Sequence, residues 1–404
     1  GQRTPFFTGH DVTIRGRGVD GRGAFRYTAT SDGGLDDVML ESLTLSGDAS
    51  LAVPSRFGIE KAINLNGHTL TRVEGGAQWM WNSKACTIDA GVISNVTATI
   101  TLQDTPRFTA PSETTLCMAG GTLDFWQADP PLPCPVVFCG GALQGSSGSD
   151  AGRNILAGPC AIEKWTYFYN RNPQHRIELT GPVTMDDKRI VQNGPGTLYL
   201  NGPVSGAKGG RLYVSSPAGR IVCSSNATRV VDAVILNATG ARFDLADGEL
   251  TAGWVRLGNG DTNRNTFVQS GGTLVVRGDT YVGERSGTYG AWLMPGGAAT
   301  FSNEVNVAKW ADSEGLLWQS GGTLAGKLLN VGRGGRGFLG VFNGATNDTR
   351  ASWYGGTERL RLGDLTNGVG VVAVSGTGSV VTTEAFVMGA RDFVSTNVVA
   401  VTDG

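Results

Sequence analysis

An all-β solenoid, built from short strands that repeat at about 25 residues per rung, is the fold this sequence predicts. Three observations carry that expectation. First, a short strand ending in a small residue recurs through the last third of the chain. It reads Val255-Arg256-Leu257-Gly258, Tyr281-Val282-Gly283, Asn306-Val307-Ala308, Asn330-Val331-Gly332, Arg361-Leu362-Gly363 and Val387-Met388-Gly389, and the last residues of these units lie 25, 25, 24, 31 and 26 apart. Second, a further strand follows and runs into a glycine turn, as in Phe267-Val268-Gln269-Ser270-Gly271-Gly272-Thr273-Leu274 and Leu317-Trp318-Gln319-Ser320-Gly321-Gly322-Thr323-Leu324. Third, glycine supplies 62 of 404 residues. That suits a chain that turns often, because a residue without Cβ accepts positive φ.

The logic of the repeat is physical. A rung of this size cannot bury its own apolar side chains, but a stack of rungs shares one core and pairs its backbone groups between neighbours. About sixteen rungs fit in the chain at this period. The whole of 1–404 reads as a single β-solenoid. Apolar residues alternating with Thr, Ser or Asn mark half-buried strands, and no stretch carries helical spacing or helix start and stop signals.

Each part of the chain contributes differently. Residues 1–75 alternate apolar and polar positions between glycine turns, as in Asp11-Val12-Thr13-Ile14-Arg15. Residues 76–190 are less regular; they hold the proline-rich Asp129-Pro130-Pro131-Leu132-Pro133 stretch, and proline is excluded from a central ladder, so loops are expected to leave the solenoid there. The pattern returns at Ile190 and is most regular over 250–404. The chain begins and stops in mid-pattern, so it is expected to be a piece of a longer exported protein.

Composition narrows the partners. Net charge is −2 and Lys and Arg form no block, so nucleic acid has no electrostatic support. No run reaches the roughly eighteen apolar residues of a membrane helix. All six cysteines lie within the first 223 residues, and none forms a CxxC pair of the kind that holds zinc. Cys117, Cys139 and Cys160 are 22 and 21 residues apart, close to one turn. Stacked on successive rungs about 4.8 Å apart they come within disulfide reach. Free thiols packed as small apolar groups are the equal alternative.

Gly194-Pro195-Gly196-Thr197-Leu198-Tyr199-Leu200-Asn201-Gly202 resembles the autotransporter-associated β-strand repeat, whose core reads G-x-G-T-L-x-L-x-G. Leu65-Asn66-Gly67-His68-Thr69-Leu70-Thr71 is similar to its companion unit, L-N-G-x-T-L-T. Together with the glycine-ended rungs, the similar stretches cover about two-thirds of the chain. The resemblance implies a right-handed parallel β-helix, exported and displayed at the bacterial cell surface as an autotransporter passenger or adhesin. The opening Val12-Thr13-Ile14-Arg15-Gly16-Arg17-Gly18-Val19-Asp20-Gly21 also resembles an early rung of pectin-lyase-like β-helices, a group that includes polysaccharide lyases and hydrolases.

Candidate side chains are few. In Lys164-Trp165-Thr166-Tyr167-Phe168-Tyr169-Asn170, Trp165, Tyr167 and Tyr169 share one face of a strand. Exposed, they form a platform for sugar rings; turned inward or covered by a loop, they are packing. Trp79 and Trp81 pose the same question. Arg277-Gly278-Asp279 matches an integrin-type adhesion tripeptide, although chance matches are expected in a glycine-rich chain. Asp186-Asp187-Lys188-Arg189 is the densest charge cluster, with a solvated turn as the plainer reading. His10, His68 and His175 stand in no motif and read as surface or turn residues. No catalytic residue, metal site or cofactor is assigned. The expected role is a structural or adhesive scaffold, with a second copy, glycans or a host surface as partners. The alternative is a polysaccharide-degrading or glycan-binding β-helix with 120–190 on its groove.

Overall fold

The computed structural model describes residues 9–26, 38–53, 57–74, 78–81, 86–102, 107–125, 131–145, 152–206, 208–260, 263–349, 359–365, 367–383, 385–389 and 396–402. The fold is a parallel β-solenoid of about 13 turns with about 24 residues per turn. That is fewer turns than the sixteen expected, and the step from Gly332 to Gly363 takes 31 residues. The chain divides into two compact units, Gly1–Ile190 and Val191–Gly404.

In the first unit, successive turns pair in register and stack like on like. One inner ladder runs Leu70, Ile93, Leu116, Val136, Cys160, Val183 through consecutive parallel strands. A second runs Ile100, Leu123, Leu143, Phe168. All of these side chains are buried. Polar residues that turn inward bond to backbone. Arg72, fully buried, donates from Nη1 to the Thr99 carbonyl at 2.9 Å and from Nη2 to the Val53 carbonyl at 3.3 Å.

The second unit is built the same way with a larger aromatic content. Ile221, Phe243, Phe267, Trp292, Leu317, Leu339 and Val372 form one inner ladder. Phe243 and Phe267 stack with centroids 5.1 Å apart, Phe267 and Trp292 lie at 4.6 Å, and Phe301 meets Trp292 edge-on at 5.4 Å. The Gly-Gly turns follow from the stacking. A Cβ on Gly271, Gly296 or Gly321 would stand 2.2, 2.6 or 2.3 Å from a carbonyl oxygen of the preceding turn. The second glycine of each pair takes positive φ, 64° at Gly272, 79° at Gly297 and 69° at Gly322. The glutamine before the turn closes it: buried Gln319 donates to the carbonyls of Gly322 at 3.1 Å and Thr346 at 2.7 Å.

No helix among the described residues is long and apolar enough to cross a membrane. Phe267→Ala leaves a cavity in the middle of the aromatic ladder and is expected to cost about 3–5 kcal/mol. Thr266→Ala, one residue back and facing outward, is expected to change stability by less than about 0.5 kcal/mol. Urea unfolding of the two variants followed by far-ultraviolet circular dichroism checks the contrast.

Candidate functional site

The strand Thr166–Asn170 shows an alternation that its hydrophobicity does not announce. Phe168 continues the inner ladder, so Thr166 and Asn170 also turn inward and are fully buried. Trp165, Tyr167 and Tyr169 consequently face outward, with 49, 40 and 41 % of their surfaces exposed. Both buried polar residues are satisfied. Thr166 donates its hydroxyl to the Lys164 carbonyl at 3.1 Å, and Asn170 Oδ1 accepts from His175 Nδ1 at 2.8 Å. One turn earlier, the residues in register with Tyr167 and Tyr169 are Ala142 and Gln144. Neither is large, so the tyrosine rings stand proud on that side. Arg171 donates to Gln144 Oε1 at 3.2 Å, and the Arg189 guanidinium lies 3.9 Å from the Trp165 ring centre. The result is a strip of three exposed aromatic rings with a cation over one end and hydrogen-bonding groups beside the other. Flat apolar faces ringed by polar tips suit polyhydroxylated rings. The side chains of Trp79 and Trp81 lie outside the described residues.

Within Arg277-Gly278-Asp279, Arg277 is exposed while Gly278 and Asp279 are half-buried. Both Asp279 carboxylate oxygens are engaged, Oδ2 by the Tyr281 hydroxyl at 2.7 Å and Oδ1 by Asn303 Nδ2 at 2.6 Å. A Cβ on Gly278 would meet Trp254 at 2.6 Å and the Gly253 carbonyl oxygen at 2.7 Å. Close packing therefore requires the glycine between Arg277 and Asp279.

Around Asp279 lies a feature that the reading of the sequence missed. Arg256, Tyr281, Asn306, Asn330 and Arg361 stand in register on successive turns of the second unit. They are the leading residues of the repeated triplets, and charged residues follow four of those triplets: Glu284, Lys309, Arg333 and Asp364. The same position is polar in turn after turn, a regularity that the apolar residue at the centre of each triplet masks. Cations and rings alternate here. Arg256 lies 4.7 Å from the Trp254 ring centre and 5.5 Å from that of Tyr281; Lys309 lies 4.0 Å from Tyr281 and 5.1 Å from Trp310. Trp254 and Trp310 are 40 and 50 % exposed. Beside Arg256, Glu284 is buried, with Oε1 3.4 Å from Arg256 Nη1 and Oε2 without a hydrogen-bond partner among the described residues. Burial pushes the Glu284 carboxyl above the usual range, against the opposing pull of Arg256, Lys309 and Arg285. Burial likewise lowers the Lys309 ammonium, and burial together with Asp279 raises the Tyr281 phenol.

The other candidates fall into place. Asp186 and Asp187 are exposed, and Asp187 has a φ of 51° with Lys188 3.8 Å away, so the charge cluster is a solvated turn whose last member stacks on Trp165. All six cysteines are free thiols. Cys117 and Cys139 come together with Sγ atoms 4.0 Å apart, while Cys160 occupies the inner ladder opposite Val136. Among the described residues no three of His, Cys, Asp and Glu form a metal-holding group. His10 is exposed and His68 is half-buried near Asp48 at 3.9 Å. His175 departs from its expected surface position: it is 1 % exposed, packed beneath Gly145, where a Cβ would fall 1.7 Å from its ring. The ladder that turns Asn170 inward draws the imidazole in with it.

Comparison with protein-family models, curated proteins and solved structures finds no match for this chain.

Burial pushes His175 down to about 4 from an ordinary value of 6.5. As pH falls through this window, the unfolded chain takes up a proton that the folded chain refuses. The stability contributed by the neutral ring is thus complete above about 6.5 and lost progressively toward 4. The urea midpoint of the native chain is expected to fall between about pH 7 and about pH 4.5 by more than that of His175→Gln, which has no titrating ring.

Proposed function

We propose that this chain is a structural and adhesive β-solenoid scaffold of an exported bacterial surface protein, and that it works by display and contact. The observation that carries this reading is the outward strip of Trp165, Tyr167 and Tyr169 on a strand whose other face is locked into the inner ladder. A strand fixed in this way holds its main chain without an ordering cost on binding, and preorganisation of that kind favours contact with a repetitive ligand. Glycans at a cell or host surface are the ligand class the strip suits. The exported, surface-displayed setting rests on the resemblance of the Gly194–Gly202 and Leu65–Thr71 units to autotransporter passenger repeats.

The test is affinity for immobilised polysaccharides, first on a glycan array and then by titration calorimetry with whichever glycan binds. Trp165→Ala, Tyr167→Ala and Tyr169→Ala are each expected to weaken binding about tenfold, as loss of one aromatic contact would. These side chains lie outside the inner ladder, so each variant is expected to remain folded, which urea unfolding checks. Binding that survives the triple variant would sink the assignment of the strip.

A second reading, polysaccharide cleavage, is favoured by one observation. Glu284 is a buried carboxyl whose proton is held more tightly than usual, beside Arg256, whose guanidinium lies near the exposed Trp254 ring. A general acid needs a carboxyl of that kind. A reducing-end assay over a polysaccharide panel tests it. Under this reading turnover disappears in Glu284→Gln, and under the scaffold reading neither chain releases reducing ends.

A further inference from the structure

Two of the six cysteines differ from the rest in position. Cys86, Cys134, Cys160 and Cys223 are buried, and burial pushes each thiol up to about 12. Cys117 and Cys139 are partly exposed and sit on successive turns of the first unit, with Sγ atoms 4.0 Å apart. Met118 and Phe138 are paired in register between them, so Cys117 stands just before this pair and Cys139 just after it. The two thiols are diagonal neighbours at a corner. A third group completes the cluster: Cys139 donates its S–H to Glu163 Oε2 at 3.0 Å. The Glu163 main chain is held to the turn before it, since its backbone N–H donates to the Phe138 carbonyl at 2.9 Å.

We propose that Cys117 and Cys139 form a reversible oxidation site, in which Cys117 attacks a small-molecule disulfide, Cys139 resolves the adduct, and Glu163 slows that second step by holding the Cys139 proton. The balance is simple. The Cys117 thiolate attacks one sulfur of an oxidant R–S–S–R, a Cys117–S–S–R bond forms, and one R–S⁻ leaves. Cys139 then loses its proton to solvent and attacks the Cys117 sulfur. The Cys117–Cys139 bond forms, the second R–S⁻ leaves, and the oxidant has taken two electrons from the two protein thiols.

The order of attack follows from electrostatics. Burial, the hydrogen bond to Glu163 and the neighbouring Cys117 together push Cys139 up to about 12. A carboxylate that accepts a thiol proton disfavours the thiolate, and the thiolate is the nucleophile. Among the described residues Cys117 makes no such bond to a carboxylate, which leaves it the better attacking group. The groups that act on Cys139 are Glu163 and Cys117. Lys164 packs beside the following residue, with its Cδ 3.2 Å from where a Cβ of Gly140 would be. Closing the bond asks the sulfurs to approach by about 2 Å across a diagonal. Both thiols are partly exposed, so the bond is open to attack by small thiols in solvent.

The experiment treats the intact, folded chain with oxidised glutathione, quenches it with iodoacetamide at timed intervals, and maps the peptides by mass spectrometry. The expected product is a peptide pair joined through Cys117 and Cys139, reversed by reduced glutathione, with the other four cysteines unlinked. Cys139→Ser is expected to stop at a glutathione adduct on Cys117. Glu163→Gln is expected to close the bond about tenfold faster at neutral pH and to move the pH profile of closure to lower pH. That shift is what a merely structural role for Glu163 would not produce. Circular dichroism confirms that each variant is folded before it is scored. A folded chain that shows no Cys117–Cys139 bond, or that carries its first adduct on Cys139, overturns the site. A Glu163→Gln profile that is unmoved or slower overturns the role given to Glu163.

Discussion

In-register parallel pairing between one turn and the next is the constraint on which everything else in this protein depends. Each strand satisfies its backbone groups with the strand before and the strand after it, so a strand's register is inherited from its neighbours. Side chains at equivalent positions then stack directly, and a ladder such as Leu70, Ile93, Leu116 and Val136 follows. The same pairing dictates the corners. When one turn lies about 4.8 Å from the next, there is no room for a Cβ above a carbonyl, which is why Gly271, Gly296 and Gly321 recur at one place.

Stacking also decides what the outer surface can do. A residue's in-register neighbours are its companions on the outer face, so a polar position repeated over several turns becomes a polar stripe. Arg256, Tyr281, Asn306, Asn330 and Arg361 form such a stripe, with Tyr281, Asn306 and Asn330 buried within it, and the charged residues that follow the triplets meet across it. Arg333 illustrates the density of contacts: its Nη1 donates to Glu304 Oε2 at 3.0 Å and to Asn306 Oδ1 at 3.1 Å, and its Nε lies 3.6 Å from Asp364. The aromatic strip of the first unit arises by the opposite route. Its neighbours one turn earlier are Ala142 and Gln144, so the Tyr167 and Tyr169 rings extend beyond the side chains of that turn.

Charge is handled in the same economical way inside the turns. Buried Arg229 gives Nε to the Leu200 carbonyl at 2.7 Å and Nη1 to the Ala227 carbonyl at 2.8 Å, and Nη2 reaches Ser225 Oγ at 2.7 Å. An interior guanidinium is tolerable when carbonyls of neighbouring turns receive its protons. Buried His175 follows a different rule, because its ring can shed its proton and remain neutral.

The sequence by itself determined the class of fold and the approximate period. Apolar alternation and recurrent glycine report directly on backbone geometry. The sequence could not decide which way the Thr166–Asn170 strand faces. Both of its faces carry aromatic residues, so alternation is silent there. Register decided it, because Phe168 had to continue the ladder of Leu143, and that choice put Trp165, Tyr167 and Tyr169 outside and drew Thr166, Asn170 and His175 in. Spacing alone also left three cysteines as equals. The corner after Met118 separated them, bringing Cys139 toward Cys117 while Cys160 fell onto an inward position. A near-constant period makes the stacking legible, whereas the side chain that meets its neighbour depends on a shift of one or two residues at a corner, and only the folded turns show that shift.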